Sequence, residues 1–138
     1  MASQASRFLF LFLLGLLVGA VATVMAMRAL QARQDPFPDS VMHVMSKQTE
    51  VLKQNLAANR CTTSDAVPRL QTLRAVSNDL ETAFPDLAED QRFVTHAGQL
   101  RATLDGALSA PPAGCPDTKA TLAKVGEACK ACHDDFGH

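Results

Sequence analysis

Apolar residues recur at steps of three and four positions in four segments between residues 41 and 136. This spacing places them along one face of an α-helix, and no segment alternates strictly as a half-buried strand does. Because the connections between the segments are short, the pattern predicts an all-α chain in which residues 41–138 form an antiparallel up-down-up-down four-helix bundle. The four apolar stripes are Val41, Met42, Met45, Leu52 and Leu56; Leu70, Leu73, Val76, Leu80 and Phe84; Phe93, Ala97, Leu100, Leu104 and Leu108; and Leu122, Val125, Cys129, Cys132 and Phe136.

Capping residues and breakers predict where these helices begin and end. The first helix should begin after Ser40, which is a good N-cap, and fade near Asn59–Cys61. The second is expected to begin around Asp65–Pro68, because proline is tolerated in a first turn, and to end at Pro85. The fourth should begin near Asp117–Thr118.

A different pattern precedes the bundle, since the run from Phe8 to Met27 is uncharged and mostly apolar. As a helix this run would be about 30 Å long, which matches the hydrocarbon core of a bilayer. Residues 1–30 are therefore predicted to be a transmembrane anchor. The alternative is a signal peptide cleaved after Ala20–Ala22. Both interpretations direct the bundle to export, so we expect it in the periplasm, anchored to the inner membrane. Residues 31–40 should form a linker that Pro36 and Pro38 hold extended.

Composition and charge narrow the functional classes. The formal net charge is −1, and the sequence contains no tryptophan and no tyrosine. No basic cluster is present that would bind phosphates, so we expect no nucleic-acid partner. The sequence also lacks a Ser/His/Asp grouping, an evident carboxylate pair and a glycine-rich phosphate loop. We therefore predict that the protein is not an enzyme.

The candidate chemistry lies in the segment "CKACH", residues 129–133. Cys-x-x-Cys-His is the attachment signature of c-type haem. Residues three and four apart share one helix face, so Cys129, Cys132 and His133 can all meet one flat macrocycle. The two thiols would form thioethers with haem c, and His133 would be the proximal iron ligand.

Other uses of paired cysteines fit this sequence less well. A thioredoxin-like dithiol normally lies at a strand-to-helix turn, and no strand is predicted. A zinc site needs a second pair of ligands, whereas His43, His96 and His138 are scattered without ligand spacing. A disulfide between Cys129 and Cys132 would be strained in a helix.

The segment "VGEACKACHDDF", Val125 to Phe136, resembles the C-terminal helix of the cytochrome c-prime class, and "MHVM", Met42 to Met45, is a weaker echo of that class. The resemblance implies a four-helix bundle that binds haem near the end of its last helix. It also implies that the distal haem residue aligns with Met42. Bundles of this class often form homodimers, but the sequence assigns no pairing face here.

The predicted topology also brings Met42 towards the haem, because the start of helix one lies beside the end of helix four in an antiparallel bundle. Met42 is either a flexible core filler or the sixth iron ligand. Met45 and His43 are weaker candidates for that ligand. His43 is displaced by about 100° around the helix from Met42 and should point elsewhere.

The remaining cysteines, Cys61 and Cys115, fall at the opposite end of the predicted bundle. The periplasm permits disulfides, so we expect a Cys61–Cys115 bridge. It would close a loop of about 55 residues, which the chain-entropy model values at about 4 kcal/mol. The alternative is two unpaired thiols.

These observations favour a membrane-tethered electron carrier that exchanges electrons with redox partner proteins through its haem. The alternative is a five-coordinate haem protein that binds nitric oxide or carbon monoxide. Residue 42 discriminates between the two, because a methionine can fill the sixth position whereas a leucine or phenylalanine would only shield it. A haem-free structural bundle is disfavoured by the cysteine pattern.

Overall fold

The computed structural model describes residues 2–31 and 35–137, without the side chains of residues 2–6, 30 and 31. These residues are predominantly helical and contain no β-strand. They divide into two compact units, Met1–Pro36 and Phe37–His138. Part of the predicted linker, residues 32–34, and His138 lie outside the described residues. The prediction of an all-α chain is confirmed for the part that the structure describes.

The first unit contains one long helix, α1 (Ala2–Gln31). Its segment Arg7–Ala29 has a mean hydropathy of 2.7 and is long and apolar enough to cross a membrane. A signal sequence near an N-terminus has the same properties, so both interpretations of this segment remain compatible with the helix. The helix continues through Gln31, one residue into the predicted linker.

In the second unit, each of four long helices packs against two of the others. Contacts join α2 to α3, α3 to α5, α5 to α6 and α6 back to α2. Their apolar faces meet in one core, in which Leu70, Leu73, Leu104 and Val125 are among the most completely buried side chains. The helices of this unit are α2 (Phe37–Ala57), α3 (Thr63–Val76), α4 (Leu80–Ala83), α5 (Gln91–Ser109) and α6 (Cys115–Phe136), with 3-10 turns at Ser77–Asp79 and Pro85–Leu87.

Three helices begin earlier than predicted. Helix α3 begins at Thr63 rather than around Asp65–Pro68, so Pro68 lies inside the helix and not in its first turn. In the other two helices a proline does occupy the first turn. Helix α2 begins at Phe37 rather than after Ser40, and α6 begins at Cys115 rather than near Asp117–Thr118. Pro38 and Pro116 are accommodated because the first N–H groups of a helix have no intrahelical partner. The prediction that residues 37–40 belong to an extended linker is therefore wrong, and the second unit begins at residue 37 rather than 41.

The predicted second helix is interrupted at Ser77, which is completely buried. The Ser77 hydroxyl donates to the Arg74 carbonyl over 2.7 Å, and Arg101 of α5 donates to the Ser77 carbonyl over 2.8 Å. Arg101 also donates to both carboxylate oxygens of Glu81 in α4. The α3–α4 break is thus stabilised by an arginine from another helix, a long-range contact that periodicity does not reveal.

A disulfide links the connection between α2 and α3 to the first residue of α6. The sulfurs of Cys61 and Cys115 are 2.01 Å apart, and their Cα atoms are 4.9 Å apart. This is the predicted pairing.

Candidate functional site

A cavity of about 300 Å³ lies between α2, α4, α5 and α6. Its walls are mainly apolar, and its volume is at the lower end of the range for small-molecule and cofactor sites. Helix α6 contributes Cys129, Cys132 and His133, and α2 contributes Met42 and Met45. The structure therefore brings all three residues of the predicted attachment motif, together with the candidate distal ligand, to one cavity.

Cys129, Cys132 and His133 share a face because they are spaced three and four residues apart on the regular helix α6. Both thiols are free and half-buried. Burial raises the pKa of Cys129, partly offset by its own backbone hydrogen bond and by the charge of Lys53. Burial, followed by the charges of Cys129 and Asp135, raises the pKa of Cys132.

These pKa directions bear on what the cysteines can do. A redox-active Cys-x-x-Cys motif has a lowered thiol pKa, because its chemistry requires a thiolate. Cys129 and Cys132 have the opposite tendency. Among the residues that the structure describes, no group of three or more His, Cys, Asp or Glu side chains is arranged to hold a metal ion. In its raised thiol pKa values, the motif differs from a thioredoxin-like dithiol.

The geometry of Cys129, Cys132 and His133 is compatible with haem attachment. Haem attachment places other demands on the two sulfurs than a redox-active dithiol or a zinc site does. The two thiols must reach separate vinyl groups on a porphyrin edge, while the imidazole alone approaches the iron. Cys129 and Cys132 are successive thiols on one helix face, and His133 follows on the same cavity wall. Apolar walls also suit the porphyrin, whose faces are hydrophobic.

The α2 side chains that line the cavity distinguish between the candidates for a second iron ligand. Met42 is half-buried and Met45 is 6% exposed, and both line the cavity. His43 is exposed and does not line the cavity, in agreement with its displacement around the helix. The structure retains Met42 and Met45 as candidates.

Sequence reasoning missed His96, which lines the cavity from α5. Its Nε2 atom lies 3.0 Å from Oδ2 of Asp135 on α6. The available signal was its register, since His96 is three residues after Phe93 and directly before Ala97, both members of the buried α5 stripe. Scattered spacing of histidines along a chain is a poor guide when the helices that carry them pack together.

No family model, curated protein or solved structure matches this chain.

Proposed function

We propose that this protein is a c-type cytochrome that transfers electrons through a covalently bound haem. Cys129 and Cys132 would hold haem c as thioethers, and His133 would be the proximal iron ligand. The observation that carries this proposal is that all three residues line one apolar cavity. Met42, near the start of α2, lines the same cavity. Bound haem would supply an iron that cycles between Fe(II) and Fe(III).

The antiparallel up-down-up-down topology is part of this proposal. Two links between α2 and α6 support it. The connection that follows α2 is joined to the start of α6 by the Cys61–Cys115 bridge. Residues near the start of α2 and near the end of α6 line the same cavity. The resemblance of residues 125–136 to the last helix of the cytochrome c-prime class favours the same arrangement.

Haem attachment is tested by the intact mass of the full chain, produced in a bacterium that expresses a c-type cytochrome maturation system. We expect the mass to exceed that of the polypeptide by one haem, resistant to acid-acetone extraction. Cys129→Ser and Cys132→Ser should each lose one thioether. Lys130→Ala is the matched control, because Lys130 lies within the motif and is exposed. A mass equal to that of the bare chain in the unmodified protein would overturn the proposal.

The second axial ligand decides between electron transfer and gas binding. Ligation by the Met42 sulfur would make the iron six-coordinate and raise its reduction potential. We therefore expect a low-spin spectrum that changes in Met42→Ala and persists in Met45→Ala. High-spin iron that binds carbon monoxide in the unmodified protein would instead favour the gas-binding alternative.

We also propose that α1 anchors the protein in the inner membrane, with the second unit in the periplasm. The length and apolar composition of Arg7–Ala29 support an anchor, and the Cys61–Cys115 pair suits an oxidising compartment. The expected result is that the protein remains in the membrane fraction after an alkaline wash. Freely soluble protein that lacks the first residues by mass would mean that the segment is a cleaved signal peptide.

A further inference from the structure

The first turns of α5 contact the last turn of α6 through a compact set of side chains. Asp135 Oδ2 is 3.0 Å from His96 Nε2 and 4.0 Å from Arg92 Nη1. The Phe136 ring packs edge-on against Phe93 at a centroid distance of 5.6 Å, and the Arg92 guanidinium lies 5.2 Å from the Phe136 centroid. We call these five residues, Arg92, Phe93, His96, Asp135 and Phe136, the α5–α6 clamp.

The position of the clamp along α6 connects it to the candidate site. Asp135 and Phe136 belong to the same turn as Cys132 and His133, and α6 ends at Phe136. The last carbonyls of a helix lack intrahelical partners, so terminal turns open readily unless tertiary contacts stabilise them. The two side chains that would bind haem at this end therefore lie in the part of α6 that most needs support.

A second ion pair near this turn has a different geometry. Lys130 donates to both carboxylate oxygens of Asp134, but both residues belong to α6 and are well exposed. This pair stabilises the helix along its own axis and does not tie it to a neighbouring helix. Within the described residues, two polar contacts join the last turn of α6 to α5, the His96–Asp135 pair and the longer Arg92–Asp135 ion pair. Of the two α5 residues, His96 lines the cavity, and its side chain is 24% exposed whereas that of Arg92 is 67% exposed.

We propose that His96 is a positioning residue: through its hydrogen bond to Asp135 it holds the last turn of α6 so that Cys132 and His133 face the cavity. The proposal rests on the proposed function in one respect: its consequence is that the Cys132 thiol and the His133 imidazole have a single orientation towards haem. Its physical basis is independent of haem, because the contact exists between the protein's own side chains. His96 Nε2 lies 3.0 Å from Oδ2 of Asp135, so this contact ties the last turn of α6 to α5.

The direct test measures alkylation of Cys132 in the full chain without haem, produced where no maturation system operates and kept in detergent. Because Cys61 and Cys115 are bonded to each other, an alkylating reagent will label Cys129 and Cys132, and peptide mass spectrometry separates the two. His96→Leu should speed alkylation of Cys132 about fivefold relative to Cys129, which is the change in local opening expected from one lost hydrogen bond.

Three further variants separate positioning from a general loss of packing. His96→Gln should restore most of the slow rate, because its amide can still donate to Asp135. Asp135→Ala should be at least as fast as His96→Leu, because it removes the His96 contact and also the ion pair with Arg92. The double variant should be no faster than Asp135→Ala, since the contact with His96 is already lost in that variant. Lys130→Ala should leave the rate unchanged. Equal Cys132 rates in all variants, or additive effects in the double variant, would overturn the proposal.

The haem-loaded protein provides a spectroscopic readout. In His96→Leu we expect a mixture of axial-ligand environments in the electron paramagnetic resonance spectrum, and one environment in His96→Gln. If His96→Leu cleanly replaced one axial ligand, His96 would itself be an iron ligand and the positioning role would be wrong. Failure to attach haem would refute the proposed function, whereas the alkylation result would still decide the role of His96.

Discussion

Removal of the Cys61–Cys115 bridge should strongly destabilise the second unit while leaving the candidate site intact. The bridge joins residues 54 positions apart in the sequence. In the chain-entropy model, a cross-link over a loop of about 55 residues stabilises the folded state by about 4 kcal/mol, because it restricts the unfolded chain. A typical domain is stable by about 5–15 kcal/mol, so the bridge should supply a large fraction of the total.

The assay is urea unfolding of the full chain in detergent, followed by far-UV circular dichroism. Compared with the unmodified oxidised protein, Cys61→Ala/Cys115→Ala should lose about 4 kcal/mol, with a further contribution of about 1 kcal/mol from the buried Cys61 sulfur. With a denaturant dependence of about 1–3 kcal/mol per molar urea, a total loss of about 5 kcal/mol should lower the midpoint by about 1.7 to 5 M. Reduction of the unmodified protein with dithiothreitol should reproduce most of the decrease.

The site serves as the internal control of this experiment. From Cys115 to Ala128, where the cavity wall begins, α6 rises by about 20 Å. Alkylation of Cys129 and Cys132 under native conditions should therefore proceed at the same rate in the double variant. A loss of stability below about 1 kcal/mol would refute the entropic reasoning. Faster alkylation of Cys129 and Cys132 in the folded double variant would refute the claim that the bridge and the site are structurally separate.

Three other measurements test the core, the interhelical ion pair and the thiols. Leu104→Ala should destabilise the second unit by about 2–5 kcal/mol in urea unfolding, because Leu104 is fully buried. The hydrogen bond from Arg101 lowers the pKa of Glu81, so its contribution is present above the carboxyl group's unfolded pKa and is lost as the pH falls through the folded one. Glu81→Gln should therefore cost about 1–2 kcal/mol at pH 7 and weaken the acid dependence of stability below about pH 4. Because burial raises the pKa of Cys129 and Cys132, their alkylation in the haem-free chain should continue to accelerate to a higher pH than that of a free cysteine peptide. A plateau of their rates at the peptide's pH would contradict the assigned burial.

The sequence predicted the helical content and most of the buried face correctly because periodicity depends on local geometry. In α5 the stripe from Phe93 through Leu104 is buried, as three- and four-residue spacing requires. Helix starts were less accurate. Capping and proline signals are local as well, but they leave two starts open for α2. Ser40 can cap a helix that begins after it, and Pro38 can lie in the first turn of a helix that begins earlier, so the choice depends on the packing of α2.

Interruptions and contacts between helices could not be read from the sequence. The stripe from Leu70 to Phe84 is periodic across the break at Ser77, so a single helix was the natural prediction. What stabilises the break is Arg101, which lies 24 positions later and donates to the Ser77 carbonyl. A contact of this kind depends on how α3 and α5 pack, and no local pattern encodes it.

The residues of the candidate site show the same difference between local patterns and contacts between helices. Cys129, Cys132 and His133 were identified because helical spacing itself places them on one face. Met42 followed from the order of the helices and lies at the cavity. His96 was missed because its role depends on the register of α5 against α6, which brings it to Asp135, a residue 39 positions away. The sequence thus identifies the proposed attachment motif, and tertiary packing identifies the residue that we propose to position it.

The two ends of α6 are stabilised by different means, and the proposed function offers a reason for this difference. At its start, the Cys61–Cys115 bridge fixes the helix covalently to the connection between α2 and α3. At its end, the proposed function requires that the thiols of Cys129 and Cys132 are free to react with haem, so a disulfide there would remove that chemistry. Non-covalent contacts such as His96–Asp135 can orient this turn without consuming a thiol. Because about 30 Å of helix separates the two ends, stability and site geometry should respond to mutation almost independently.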